Sequence, residues 1–351
     1  MRVMVVGGVF GRDDAYRRSI NPTPEMTLVD GLAARGVDVV PAPHAWRYDL
    51  AGVDLVHVHH LAKAVPVLAG MRAARRAPHL VFTRHNEELT LPLRRAAALR
   101  LVNATADAFV ALSHQEATRL RREVRGPVVV IRNGIAAPAG VRVRDVTDTG
   151  PWRLLFAGQL IPRKGVDLLI KAVARIRDRR DVTLRLVFHN PWQLAELQRL
   201  AAALAVGDRV EFVGSRDAAG MAAEYANADV VVLPSLAEAE SLPSVITESL
   251  LAHKPVVATA DAGTPEQVQQ AGLLVCPGDV GDLAGAILDV TGDYARYQAA
   301  AAARERDLHP EYDVDTMIDR HIRLYSALVE GRPVEIGLRA ERAATSKALA
   351  P

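Results

Sequence analysis

The chain has 351 residues, of which 50% are hydrophobic and 5% aromatic, with one cysteine, Cys276, and a formal net charge of +2. So few aromatics argue against a nucleic-acid stacking platform, and a single cysteine excludes an internal disulfide or a thiolate metal cluster. The length admits two domains, and no apolar run approaches the roughly 18 residues of a membrane span.

The opening run, Met1 to Gly8, is too short and too soon broken by glycine for a signal peptide. It reads as a first buried strand at residues 3–6, and the expected location is the cytoplasm. Further short apolar, β-branched runs lie at 38–40, 55–58, 80–83, 108–111 and 128–131. Helical stretches rich in Ala, Leu and Arg lie between them at 28–35, 64–76, 93–103 and 114–123. Continuous apolar strands alternating with amphipathic helices imply a parallel sheet covered on both faces. The alternation then pauses: residues 136–151 hold Pro, Gly and charges without a long apolar run, and read as an interdomain linker.

The same alternation restarts, with strands expected at 153–156, 184–188, 210–213, 230–233, 256–258 and 273–275. Its helices are expected at 166–178, 192–204, 219–227 and 243–252, with a late one at 314–329. Cys276, just past an apolar run, reads as a packed strand-end thiol. The expected organisation is α/β throughout: two Rossmann-like, doubly wound parallel-sheet domains facing across a cleft. They cover residues 1–137 and 152–310, joined by a linker at 138–151. A helix at 311–330 crosses back to the first domain, and a disordered tail at 331–351 follows.

Charge is uneven. Residues 1–150 carry 21 Lys and Arg against 14 Asp and Glu, a surplus of +7, and the remainder is −5. A basic first half suits an anionic partner as well as an ordinary solvated surface. Arg94, Arg95 and Arg100 on one helix, and Arg119, Arg121, Arg122 and Arg125 at the next, are the candidates for such a contact.

Two motifs carry chemistry. Gly158-Gln159-Leu160-Ile161-Pro162-Arg163-Lys164-Gly165 joins a strand to a helix. Gly158 allows close backbone approach, the helix start presents unpaired N–H groups, and Arg163 and Lys164 add charge, a combination that favours a diphosphate. The second motif runs from Glu240 in a loop to Glu248 in a short helix, inside a strand–loop–helix–strand unit. Ligands of open α/β sheets lie outside the carboxyl ends of the strands, which is where both glutamates fall.

In this order, and with Lys254-Pro255-Val256-Val257-Ala258 behind them, the motifs resemble the retaining GT-B glycosyltransferases of family 4, the glycosyl transferases group 1. Asp54-Leu55-Val56-His57-Val58-His59, Thr83-Arg84-His85 and Val130-Ile131-Arg132-Asn133-Gly134-Ile135 add weaker matches. The resemblance implies transfer of a hexose from a UDP- or GDP-sugar to a hydroxyl acceptor, with no cofactor and no metal. It assigns Lys164 to the donor diphosphate, Glu240 to the sugar hydroxyls and Glu248 to the ribose. Gly158, Gln159 and Arg163 would line the donor site, with phosphates cradled by backbone from Ser241 through Leu242 to Ser244. His85 would face the sugar across the cleft. Gly8, Gly11, His59 and His60 would border the acceptor, and residues 11–25 would form a mobile acceptor-side loop. The acceptor is compatible with a lipid-linked or phosphorylated molecule at an anionic membrane face, or with a small natural-product core.

The chain departs from the family pattern at three places. Gln159 stands where Arg is common, and Arg163 offers compensation. Pro243 stands where Gly is common and lacks an N–H, though it suits a first helical position. His189-Asn190-Pro191 replaces a glycine-rich turn. These leave open a phosphorylase or epimerase on the same fold, or a non-catalytic nucleotide-sugar binder. Gly7-Gly8-Val9-Phe10-Gly11 lacks the first glycine and the downstream acid of a dinucleotide fingerprint. His57 and His59 share a strand face without the acidic partners of a metal shell.

Overall fold

A computed structural model describes residues 1–43, 48–73, 77–84, 93–137, 142–145, 148–236, 242–261 and 263–334. Two six-stranded sheets, all of whose strand pairs are parallel, organise these residues. The first sheet holds β1 (Arg2–Val6), β2 (Asp38–Ala42), β3 (Leu55–Val58), β4 (His79–Thr83), β5 (Ala108–Ala111) and β6 (Val128–Val130), in spatial order 2-1-3-4-5-6. The second holds β7 (Trp152–Ala157), β8 (Val182–Val187), β9 (Val210–Gly214), β10 (Val230–Leu233), β11 (Val256–Thr259) and β12 (Gly272–Val275), in order 12-11-10-7-8-9. Each expected strand is present within two residues of its expected bounds, because a strand buried on both faces is a continuous apolar run.

Helices cover both faces of each sheet. In the first half they are α1 (Asp14–Arg18), α2 (Pro24–Ala34), α3 (Leu61–Ala73), α4 (Leu93–Thr105) and α5 (His114–Glu123). In the second they are α6 (Val166–Ile176), α7 (Leu194–Ala203), α8 (Ala218–Asn227), α9 (Ser244–Leu251), α10 (Thr264–Val268), α11 (Val280–Gly292), α12 (Tyr294–Tyr312) and α13 (Val314–Val329). The patterning that suggested the helices did not reach α1, α10, α11 and α12. The segment expected as a mobile loop, 11–25, follows a 3-10 turn at Gly8–Gly11, carries α1 and ends in the first residues of α2. Cys276 corrects an expectation: β12 ends at Val275, and the Asp282 carboxylate takes the Cys276 N–H (2.7 Å), leaving the residue exposed.

α13 packs on α2, not on the second sheet. Met317, Ile318, Leu324 and Tyr325 join Val3, Val5, Leu28 and Leu32 in one buried cluster. A Cβ on Gly31 would lie 2.4 Å from Ile318 Cδ1, so glycine there lets the two helices meet. The chain thus passes between the sheets twice, at residues 132–151 and near Asp313, and the two passages touch. Ile135 N–H donates to the Tyr312 carbonyl (2.8 Å), and Arg132 pairs with Glu266 and with Glu311 (2.6 Å).

The linker is anchored by charge. Arg144 is buried, bonds Asp229 (2.9 Å), donates to the carbonyls of Asp148, Gly150 and Pro151, and stacks over Trp152 at 4.3 Å. Buried Lys254 donates to the carbonyls of Arg142 and Ala226.

Strand order reverses between β7 and β10, so their carboxyl ends form the switch point of the second sheet, where ligands of such sheets bind. Two loops leave this point and are tied together: Leu236 N–H donates to the Arg163 carbonyl (2.8 Å). Gly165 adopts φ +63°, and a Cβ there would stand 2.2 Å from the Pro234 carbonyl oxygen. Gly165→Ala is expected to cost about 1–2 kcal/mol from the left-handed backbone alone, and more from the clash. An unchanged urea midpoint would show that the loop tolerates a side chain.

Candidate functional site

A cavity of about 1050 Å³ lies between the two sheets. One wall comes from the loop after β1 and from the start of α2: Gly8, Val9, Arg12, Tyr16, Asn21 and Thr27. The other comes from the second sheet: Gly158, Phe188, His189, Arg216, Tyr225, and Ser244, Val245 and Glu248 of α9. Asn133 to Ala137, where the chain first leaves the first sheet, closes the floor together with Val314.

α9 begins at Ser244 behind Pro243, with no side chain capping its first N–H groups. Proline is favourable there because the missing N–H had no helical partner. Ser244 and Val245 therefore bring unpaired backbone donors and the positive end of the helix to the cavity. One turn on, Glu248 is buried with both carboxylate oxygens occupied. Tyr225 O–H donates to Oε2 (2.5 Å), and Asn21 Nδ2 donates to Oε1 (3.1 Å). Burial holds this carboxyl above its usual pKa, while the hydrogen bonds from Tyr225 and Asn21 pull it down. The Tyr225 hydroxyl is pushed well up, by burial first and then by the carboxylate.

Lys164 closes the 3-10 turn Pro162–Lys164. Burial, and then the neighbouring charge of Arg163, lower its pKa to about 7. Its charge in turn helps to lower the pKa of His189, after the effect of burial. Lys164 does not itself line the cavity; His189 does. Arg163 is exposed and opposes the protonation of Lys164. Gln159 is half-buried and off the cavity wall.

The structure brings together Gly158, Ser244, Glu248 and Gly8 on the cavity wall. Leu242 is buried in the core of the second sheet. Glu240, Ser241 and His85 lie outside the described residues. Gly11 is exposed and does not line the cavity. His59 is buried, its ring 4.2 Å from that of His57, which is held between Tyr325 Oη (2.5 Å) and Thr83 Oγ1 (2.6 Å). His59 does not line the cavity. His60 pairs with Glu25 (3.3 Å) at the start of α2.

Asn21 and Tyr225 were not singled out from the sequence. Asn21 opens Asn21-Pro22-Thr23-Pro24, a proline-stiffened turn of the kind that presents one side chain rigidly. Tyr225 repeats Met221 at i+4, which reads as core, and its hydroxyl carries no sequence signature.

Two family profiles match the chain: one described as glycosyl transferases group 1 over residues 151–293, the other as glycosyltransferase family 4 over residues 42–137. The GDP-mannose-dependent alpha-(1-6)-phosphatidylinositol monomannoside mannosyltransferase of Mycolicibacterium smegmatis is 30% identical over 276 residues, covering 71% of each chain. The glycogen synthase of Mycobacterium tuberculosis is 33% identical over 215 residues, 60% of this chain and 51% of that protein, so the chain spans about half that relative's length. Among solved structures, sucrose-phosphate synthase from Thermosynechococcus elongatus superposes with a TM-score of 0.79 at 21% identity, over 94% of this chain and all of that one. Anabaena HepE in complex with UDP and glucose gives 0.72 at 21% identity, over 93% and 100%.

Ionising Glu248 costs the folded state. That cost is absent below the unfolded carboxyl's pKa and grows as pH rises through the raised folded value. Glu248→Gln removes it. The variant's melting temperature should therefore gain on the wild type as pH goes from about 4 to about 8. A constant margin across the series would mean that Glu248 titrates normally.

Proposed function

The chain belongs to the glycosyl transferases of group 1, with a GT-B fold, and we propose that it moves a hexose from a nucleoside-diphosphate donor to an acceptor hydroxyl with retention of configuration. The observation that carries this reading is Glu248, a buried carboxylate one turn into α9, beside that helix's uncapped start. A carboxylate can accept hydrogen bonds from a ribose diol, while the helix start and Lys164 favour the adjoining diphosphate. A donor of this class also fits relatives named for GDP-mannose and the neighbour bound to UDP and glucose.

In the proposed reaction the bond from the anomeric carbon to the β-phosphate oxygen breaks, and a bond to the acceptor oxygen forms on the same face. The acceptor's proton goes to the departing phosphate. Negative charge grows on that phosphate, and Lys164 with the start of α9 meets it, so no metal ion is required for that task. Glu240 holds the sugar. On the facing wall Arg12 stacks over Tyr16 at 5.3 Å and has no ion pair among the described residues. That guanidinium supports an acceptor bearing a phosphate or carboxylate. Exposed Arg94, Arg95, Arg100, Arg121, Arg122 and Arg125 would suit an anionic membrane face if that acceptor is lipid-linked.

Product NMR tests the stereochemistry: the new glycosidic bond should keep the donor's anomeric configuration, and an inverted centre rejects the mechanism. Lys164 gives a second expectation. Its charged form binds the diphosphate, so affinity for the nucleoside diphosphate should fall as pH rises through about 7. Lys164→Arg should flatten that profile, and Lys164→Ala should lower kcat by about a hundredfold or more. A wild-type profile in Lys164→Ala removes the residue from the site.

A further inference from the structure

We infer that Asn21 is a cross-domain positioning residue that competes with the donor for one oxygen of Glu248. The inference rests on the proposed role of Glu248 as the ribose acceptor. It adds a competitor from the opposite domain.

The geometry is specific. Glu248 has two oxygens, and the two are not equivalent. Oε2 is bonded at 2.5 Å by Tyr225, which is buried and lies within the same domain, packed among Leu155, Ala157 and Val231. That contact fixes the carboxylate plane. Oε1 takes its hydrogen bond at 3.1 Å from Asn21, 227 positions away in sequence and on the other wall of the cavity. The first contact belongs to the domain core. The second exists only while the walls face each other closely.

Asn21 is well placed to act this way. It lies between α1 and α2, followed by Pro22 and Pro24, so its turn has few backbone states. The same turn carries Ile20 and Thr23 on the cavity wall and leads back to Tyr16 and Arg12, the wall proposed for the acceptor. A ligand hydroxyl that takes over Oε1 displaces the amide and releases this turn. Donor binding is thereby coupled to the facing wall through one hydrogen bond. A buried carboxylate oxygen without a donor is costly, so the Asn21 amide and a ligand hydroxyl are alternatives for the same position.

The test titrates UDP and GDP calorimetrically into wild type, Asn21→Ala and Tyr225→Phe. Asn21→Ala should bind the preferred nucleotide about three- to tenfold tighter, the span set by the net worth of one hydrogen bond. Tyr225→Phe should bind it more weakly, since the carboxylate loses its fixed plane. Opposite signs cannot come from general destabilisation. Equal or weaker binding by Asn21→Ala overturns the inference. Small-angle scattering of the ligand-free proteins supplies a readout that needs no nucleotide: Asn21→Ala should show a larger radius of gyration than wild type. If neither UDP nor GDP binds any form, the donor reading fails and scattering alone decides. An unchanged radius then overturns the role of Asn21.

Discussion

The hydrogen bond from Ile135 N–H to the Tyr312 carbonyl joins the two places where the chain passes between its sheets, and the rest of the arrangement depends on it. A single linker would leave two α/β domains free to adopt many relative orientations. Here the outgoing and returning strands of chain run side by side. Gly134 has no room for a side chain, since a Cβ would lie 2.7 Å from the Val314 Cα, and its N–H points at Met317 Sδ (2.9 Å). Arg132, Glu266, Glu311 and the Tyr312 ring surround the junction with charge and stacking. The two passages meet at one place, and that place forms the floor of the cavity. The contact between Asn21 and Glu248 joins the two walls of the same cavity.

On the second-sheet wall, three features follow from the switch point between β7 and β10. Gly165 accepts a left-handed backbone against the Pro234 carbonyl and thereby fixes Lys164 in a half-buried position. Pro243, at the N-cap, leads into α9 without bringing an N–H of its own. Tyr225 orients Glu248. Each is local, and each lowers the reorganisation needed when an anion arrives. The depressed pKa of Lys164 belongs with them, since burial and the arginine beside it both lower it.

The fold was legible because both sheets are parallel and buried, so strands stand out as short apolar runs such as Val230–Leu233 and Val256–Thr259. The helices that escaped notice lack such a signal. α11 carries Gly281, Gly285 and Gly292, and α12 is Ala- and Arg-rich with Pro310 inside it. Glu248, Gly158 and Gly8 were legible as cavity residues because motif spacing marks the loops at strand ends. His59 was not, because alternation along β3 gives its face but not the Tyr325 and His321 rings that α13 packs near His57. Asn21 was hidden for the same physical reason: its partner is 227 residues away, and pairing across a cleft leaves no periodicity in either segment.

The two walls differ in how they are held, and this bears on where specificity resides. The second-sheet wall rests on α9, most of whose residues are buried, and on a continuous core beneath it. The facing wall joins the start of α2, which is packed in the core, to a 3-10 turn and α1, neither of which contributes a buried residue. Their order comes from local devices, such as the Asp13 carboxylate capping Tyr16 N–H (2.7 Å) and the Arg17–Asp14 pair. Elements with few buried contacts open at low free energy and tolerate substitution. Elements of that kind can change without disturbing the core of the second sheet. The amide of Asn21 is where the facing wall meets the buried carboxyl of the other.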